Sequence, residues 1–210
     1  MYTCAQCGVR CCRTNELEKM PKNCPMQNME KLEKTREAYL DPDIHEFTLK
    51  AAQIECEGYC QWSRVEETIR FAKSMGYKKV GIAFCIALRK EAKVLAELFQ
   101  FHGIEVSSVI CKCGAFPKES IGIPKEHKLN PEGFEPICNP IAQAKLLEED
   151  GAEFLVLVGL CVGHDSLFIK TATKMVTVLS SKDRVLANNP LGALYCAESF
   201  YQKKLHKEIK

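Results

Sequence analysis

Short apolar runs separated by helical patterns constrain this chain more than any other feature. Lys79–Cys85 (KVGIAFC) and Phe154–Gly159 (FLVLVG) have the length and unbroken apolarity of strands buried on both faces. Glu105–Cys111 and Met175–Leu179 (MVTVL) read as the second and fourth strands. Between them lie an amphipathic helix, Leu88–His102, and a helix over Pro140–Asp150 that Gly151 stops. A short helix over Asp165–Thr173 follows the third strand, and Asn189-Pro190 opens a final one. Strands alternating with helices imply βαβ units and a parallel sheet. The expected fold over residues 76–210 is an open, doubly wound α/β sheet of about four to five strands, Rossmann- or flavodoxin-like.

The first 75 residues read differently. Residues 1–28 show no apolar periodicity and could not bury a core, so they need a staple such as a metal. Met29–Leu40 is helical and highly charged. Asp41-Pro42 is an N-cap with proline in the first turn, opening a helix through about Cys56 that Gly58 ends. Ser63-x-x-Glu66 is a capping box for a helix through Met75, with Gly76 as its stop. Residues 1–75 are expected to form a cysteine-rich, helical, metal-binding extension.

Charge excludes some partners. With 29 basic and 27 acidic residues the chain has no electrostatic footprint for nucleic acid. The basic tail Lys203–Lys210 reads as a solvated helix end, interrupted by Leu205, Glu208 and Ile209. No stretch approaches the roughly 18 apolar residues of a membrane span. No basic flank followed by an apolar run marks a secretory signal. The expected location is the cytoplasm, where thiols stay reduced. Thirteen cysteines are too sparse for a small secreted disulfide scaffold, and their odd number forbids complete pairing. Metal binding or catalysis is the better use for them.

Five cysteines crowd the N-terminus as Cys4-x2-Cys7-x3-Cys11-Cys12, then Cys24-Pro25. The close pair Cys4 and Cys7 occurs in zinc ribbons and in ferredoxin-type sites. Cys11 or Cys12 could be a third ligand and Cys24 a fourth. The spacing leaves zinc and iron–sulfur both open. The second set is dispersed. Ligands of open α/β sheets bind beyond the carboxyl ends of the strands. Cys85 ends the first strand, Cys111 ends the second with Cys113 just after, and Cys161 follows the third. Cys138 starts the helix feeding the third strand and joins them only if the long segment between Cys111 and Asn139 folds back. Loops of that length are usually functional or disordered. Four thiolates are what an iron–sulfur cluster needs. The plain alternative is that a buried cysteine is a small hydrophobe, which suits Cys196 and, taken alone, Cys85. Cys56 and Cys60, four apart near a helix end, fit either site or neither.

A rival motif is Gly159-Leu160-Cys161-Val162-Gly163, the form of a nucleophile elbow between strand and helix. Cys161 would then be a catalytic thiolate, activated by a base or by the helix N-terminus, with His164, Asp165 and Ser166 beside it as supporting donors or a proton source. Against this, the usual partner base lies far downstream, where only His206 stands. Asp165 also reads as a simple helix cap. No G-x-G-x-x-G and no P-loop is present.

Several motifs together resemble a known family. They are Cys4-Ala5-Gln6-Cys7-Gly8-Val9 with Asn23-Cys24-Pro25, Glu57-Gly58-Tyr59-Cys60-Gln61-Trp62, Gly81-Ile82-Ala83-Phe84-Cys85, Cys138-Asn139-Pro140-Ile141-Ala142-Gln143, and Gly159 to Ser166. The chain resembles, over nearly its whole length, an uncharacterised prokaryotic cysteine-rich family labelled "metal-binding protein", domain-of-unknown-function family 1847. The resemblance implies metal binding, with Cys60, Cys85, Cys138 and Cys161 in shared motifs, and favours Cys111 over Cys113. The expectation is an iron–sulfur protein with two sites. One uses Cys4, Cys7, Cys24 and Cys11 or Cys12, with zinc as the alternative metal there. The other uses Cys85, Cys111, Cys138 and Cys161 around a 4Fe–4S cluster, with Cys60 and Cys113 as alternative ligands. Expected partners are a redox protein or a small-molecule substrate, and the expected assembly is a homodimer. The runner-up is a zinc-stapled enzyme with Cys161 as nucleophile, and a third reading is a metal carrier or sensor without catalysis.

Overall fold

A computed structural model describes residues 1–208. Ile209 and Lys210, the end of the basic tail, lie outside the described residues. The chain divides into two compact units, Met1–Glu57 and Gly58–Lys210.

The first unit is built from short pieces. Single 3-10 turns at Cys4–Gln6, Leu17–Lys19 and Pro25–Gln27 flank a one-turn helix α1 (Cys11–Thr14). Helix α2 (Met29–Glu37) follows, capped by the Asn28 side chain, which accepts from the Lys31 N–H at 3.2 Å. No residue of α2 is buried, in keeping with its charge. Asp41 accepts from the N–H groups of Asp43 and Ile44 and so starts α3 (Pro42–Gly58).

The second unit holds the sheet. Helix α4 (Arg64–Ser74) opens on the expected capping box, with Ser63 and Glu66 bonded reciprocally. Its buried Thr68, Ile69, Phe71 and Ala72 place it in the core, and the Phe71 ring lies 5.5 Å from that of Phe154. Then come β1 (Lys79–Phe84), α5 (Arg89–Phe101), β2 (Glu105–Ile110), α6 (Pro140–Glu149), β3 (Phe154–Leu160), α7 (His164–Thr171) and β4 (Val176–Ser181). The four strands are parallel, in the order β2-β1-β3-β4. This is the α/β doubly wound arrangement that the alternation of elements predicts. The central pair β1 and β3 is the apolar one, and every residue of β3 is buried. The edge strands β2 and β4 are half-buried, which explains why their sequences carry Ser107, Ser108 and Thr177. Gly81 in β1 is required by packing: a Cβ there would meet Leu155 Cδ2 at 2.7 Å and Leu147 Cβ at 3.1 Å.

Two details differ from the sequence reading. The last helix is not continuous: α8 (Leu191–Tyr195) and α9 (Gln202–Leu205) are single turns separated by turn residues. The first helical residue after β3 is His164, one earlier than expected, because Gly163 adopts a left-handed conformation (φ 83°) that starts the helix at once. Among the described residues no helix is long and apolar enough to cross a membrane.

Candidate thiol and metal sites

The chain reverses direction across the sheet after β2, passing from one side of β1 to the other. That places the switch point between the carboxyl ends of β1 and β3, where ligands of such sheets bind. Cys85 follows β1, and its N–H extends the ladder to Val158 of β3 at 3.2 Å. Cys111 follows β2, and its N–H bonds the Phe84 carbonyl at 2.9 Å. The long loop does fold back: the Asn139 N–H bonds the Cys111 carbonyl at 2.7 Å, which sets Cys138 beside Cys111. Three sulfurs from three distant segments thus meet. All three belong to one apolar cluster that includes Ala83, Leu157, Leu160 and Phe168.

Within this trio Cys111 is central. Its single S–H can donate to Cys138 or to Cys85, one at a time, and those contacts together with burial push its pKa far up. The outer two are held low, to about 5, first by the bond from Cys111 and against the opposing effect of burial. An N–H bond from Ala87 and the charge of Lys182 also favour the Cys85 thiolate. Lys112 and His164 do the same for Cys138. The Ile86 N–H points at the Cys111 sulfur at 3.4 Å.

Cys161 stands at the same edge with a partner of its own. Arg184 Nη2 donates to its sulfur at 2.9 Å, and its carbonyl accepts from the N–H groups of His164 and Asp165. Gly159 before it has φ 65° and leaves no room for a Cβ against Leu88. The Asp165 carboxylate accepts from the neighbouring Ser166 N–H at 2.8 Å within the first turn, and since the N-cap is Gly163, Asp165 is not the helix cap that its sequence suggested. Cys113 lies in the turn after Cys111, with its carbonyl accepting from Asn139 Nδ2 at 3.3 Å. Cys60 is exposed in a left-handed turn (φ 57°) just beyond α3, and Cys56 is exposed on α3.

The N-terminal cysteines also gather. The Cys7 sulfur accepts backbone N–H bonds from Arg10 and Val9, which lower its pKa. Arg10 in the left-handed region (φ 54°) marks this turn. Cys11 is only 2% exposed, and burial, with Cys24, Cys12 and Cys7 nearby, raises its pKa. Cys4, Cys7 and Cys24 line one pocket with Thr3, Val9 and Pro21. Cys12 is exposed, so Cys11 is the one of that pair directed at its neighbours.

Among the described residues, no three His, Cys, Asp or Glu side chains already surround one point as metal ligands do. In both groups the thiols are still neighbours. The donor chemistry nonetheless fits a thiolate-held metal. Both groups supply soft sulfurs, and backbone N–H groups point at Cys7, Cys85 and Cys111.

Three residues at the sheet edge escaped the sequence reading. Lys182 and Arg184 follow β4, and the strand-end rule that picks out Cys85, Cys111 and Cys161 would have found them had it been extended to the fourth strand. Asp183 fixes their turn by accepting from the N–H groups of Val185 and Leu186, both at 2.8 Å. Gln143 on α6 is fully buried. Its Nε2 donates to the carbonyls of Val109 at 2.7 Å and Phe84 at 3.2 Å, joining the ends of β2 and β1 just before their cysteines. Only its place in the Cys138–Gln143 motif hinted at this.

Comparison with known proteins gives the chain a family without assigning it a role. Residues 24–179 match the family described as "Protein of unknown function (DUF1847)". The chain is also 40% identical over 202 residues to "Uncharacterized protein MJ0455" of Methanocaldococcus jannaschii, covering 96% of this chain and 97% of that one.

Proposed function

This chain belongs to the DUF1847 family of proteins of unknown function, and we propose that it binds metal through cysteine thiolates at two places. The observation that carries the reading is the pair of N–H bonds from Val9 and Arg10 to the Cys7 sulfur, in a Cys-x2-Cys-Gly turn beside buried Cys11 and Cys24. Such bonds favour a sulfur that carries negative charge, as a metal-bound one does. Residues 1–28 have no apolar core of their own, so a metal would also supply the folding energy they lack. The N-terminal ligands are Cys4, Cys7, Cys11 and Cys24, with Cys12 left outside.

The sheet-edge ligands are Cys85, Cys111 and Cys138, with Cys161 as the fourth. We assign an iron–sulfur cluster here, which when bound would supply one-electron transfer or Lewis-acid chemistry. The residues of the chain do the rest. Leu157, Leu160 and Phe168 limit water, Ile86 and Ala87 donate to sulfur, and Lys112, Lys182 and Arg184 offset the negative charge of the ligand set. Zinc is the alternative metal at the N-terminus.

A second reading has its own observation. The Arg184 bond to Cys161, at a Gly-x-Cys-x-Gly turn, suits a reactive thiol at that position.

The test is purification without oxygen, a visible absorption spectrum, and counts of iron, acid-labile sulfide and zinc. The expected protein is brown, with iron and sulfide present. A colourless protein holding only zinc would remove the cluster. Cys161→Ser should cost the sheet-edge metal if Cys161 is a ligand. If metal is retained while thiol reactivity is lost, the second reading stands instead.

A further inference from the structure

The arrangement of Cys85, Cys111 and Cys138 is a row, not a cage. Cys111 stands next to Cys85 through strand register and next to Cys138 through the returning loop. Backbone geometry sets this spacing. Phe84 and Ile110 are register partners in adjacent parallel strands, and the next residues are Cys85 and Cys111. Neighbouring strands lie about 4.7–4.9 Å apart, inside the Cα window of roughly 4.4–6.8 Å that a disulfide requires. On its other side Cys111 is tied to Cys138 through the Asn139 N–H bond of 2.7 Å. The middle sulfur can therefore bond to either neighbour, one at a time. Access is graded along the row: Cys85 and Cys111 are buried, while Cys138 is part-exposed.

We propose that the metal-free sheet edge is a thiol–disulfide exchange site for a low-molecular-weight disulfide, with Cys138 as the attacking thiol and Cys111 as the partner shared with Cys85. The activity goes beyond metal binding and does not require it. The Cys138 sulfur attacks one sulfur of the substrate R–S–S–R. That bond breaks, one R–S⁻ leaves and takes up the proton Cys138 gave, and a mixed disulfide remains. Cys111 then attacks the Cys138 sulfur and displaces the second R–S⁻, which takes the Cys111 proton. Two protein thiols and one disulfide become one protein disulfide and two R–SH, with two electrons passing to the substrate. Cys85 can next attack Cys111, moving the bond inward and returning Cys138 as a thiol that carries the Cys85 proton. The row thus stores oxidation in its buried half and frees its accessible sulfur for another turn of exchange.

The experiment uses the full chain, stripped of metal by a chelator under reduction and desalted without oxygen. Glutathione disulfide is added, remaining thiols are alkylated, and cross-linked peptides are mapped by mass spectrometry. The expected products are Cys111–Cys138 and then Cys85–Cys111, with no Cys85–Cys138. Cys111→Ser should lose both cross-links and retain glutathione on Cys138. Cys85→Ser should still form Cys111–Cys138, which keeps the test decisive should the Cys111 variant fold poorly. A Cys85–Cys138 bond in Cys111→Ser, or oxidation elsewhere with the trio untouched, would overturn the proposal. Metal counts on the protein as purified are a separate reading. Cross-links in a protein that never held metal would leave this activity standing and remove the metal site. Bound metal with no cross-link after stripping would do the reverse.

Discussion

Gln143 is the residue on which the geometry of the sheet edge turns. One amide NH2 serves two carbonyls, of Phe84 and Val109, at the ends of adjacent strands. Its Oε1 is buried without a hydrogen-bond partner among the described residues. An unpaired buried polar atom costs about 1–3 kcal/mol, so the arrangement accepts one orphan in order to satisfy two backbone groups. Gln143→Leu removes the orphan together with two hydrogen bonds, the Phe84 carbonyl keeping only the one from the Cys111 N–H, and a net loss of about 1 kcal/mol is expected by urea denaturation. Gln143→Glu should cost more than Gln143→Leu, because a carboxylate would face two carbonyl oxygens in a dry site. Equal stability of the two variants would mean that the amide donates nothing of consequence.

At the scale of elements, the segment between Cys111 and Cys138 is a braced loop rather than a slack one. Pro117 and Pro136 form an isolated antiparallel bridge, and the Ile137 N–H bonds the Phe116 carbonyl at 2.8 Å. Lys118 pairs with Glu135 at 2.7 Å, and Lys128, almost fully buried, bonds Glu119 and the Gly133 carbonyl. The Glu135 carboxylate is held down at about 2, first by Lys118 and then by the N–H groups of Asn130 and Leu129. A carboxylate with a depressed folded pKa stabilises above its unfolded value and loses that contribution as pH falls toward the folded one. The brace should thus be intact above about pH 4.5 and weaken from there down to about 2. Limited proteolysis or hydrogen exchange across 112–138 should show this, and Glu135→Gln should reduce the pH dependence in that window, with the Glu119 carboxylate, also held low by Lys128, supplying the remainder. A loop equally protected in both proteins at all pH values would show that the pair is incidental.

At the scale of the whole molecule, the two units rest on different sources of stability. Gly58–Lys210 has a buried sheet with Val80, Ile82, Leu155 and Val156 fully covered, whereas Met1–Glu57 buries little beyond Cys11 and Ile54. If metal staples the first unit, a chelator should raise hydrogen exchange in residues 1–28 while the amides of β1 and β3 keep their protection. Uniform loss across both units would contradict this. The contrast also explains what the sequence could reveal. Continuous apolar runs announce β1 and β3 because both faces of those strands are buried, and the capping box at Ser63 announces α4 because it is purely local. The placement of Cys85, Cys111 and Cys161 after the carboxyl ends of β1, β2 and β3 follows from strand order and was legible as a rule. Cys138 was legible only on the condition that the long loop folds back, because its place depends on a loop returning to Cys111 through a backbone bond. Gln143, Lys182 and Arg184 were hidden for a related reason: a polar residue shows nothing in its own neighbourhood about the distant groups it will face.

That single backbone bond has a consequence for how such chains can vary. The Asn139 N–H and Cys111 carbonyl close the loop at its neck, so the separation of the two sulfurs is independent of what lies between them. The braced segment behaves as a cassette. Lengthening it costs little, since doubling a loop adds only about 0.6 kcal/mol of closure entropy. Insertions, fusions or exchanged recognition loops can be accommodated there while the three thiols below keep their spacing.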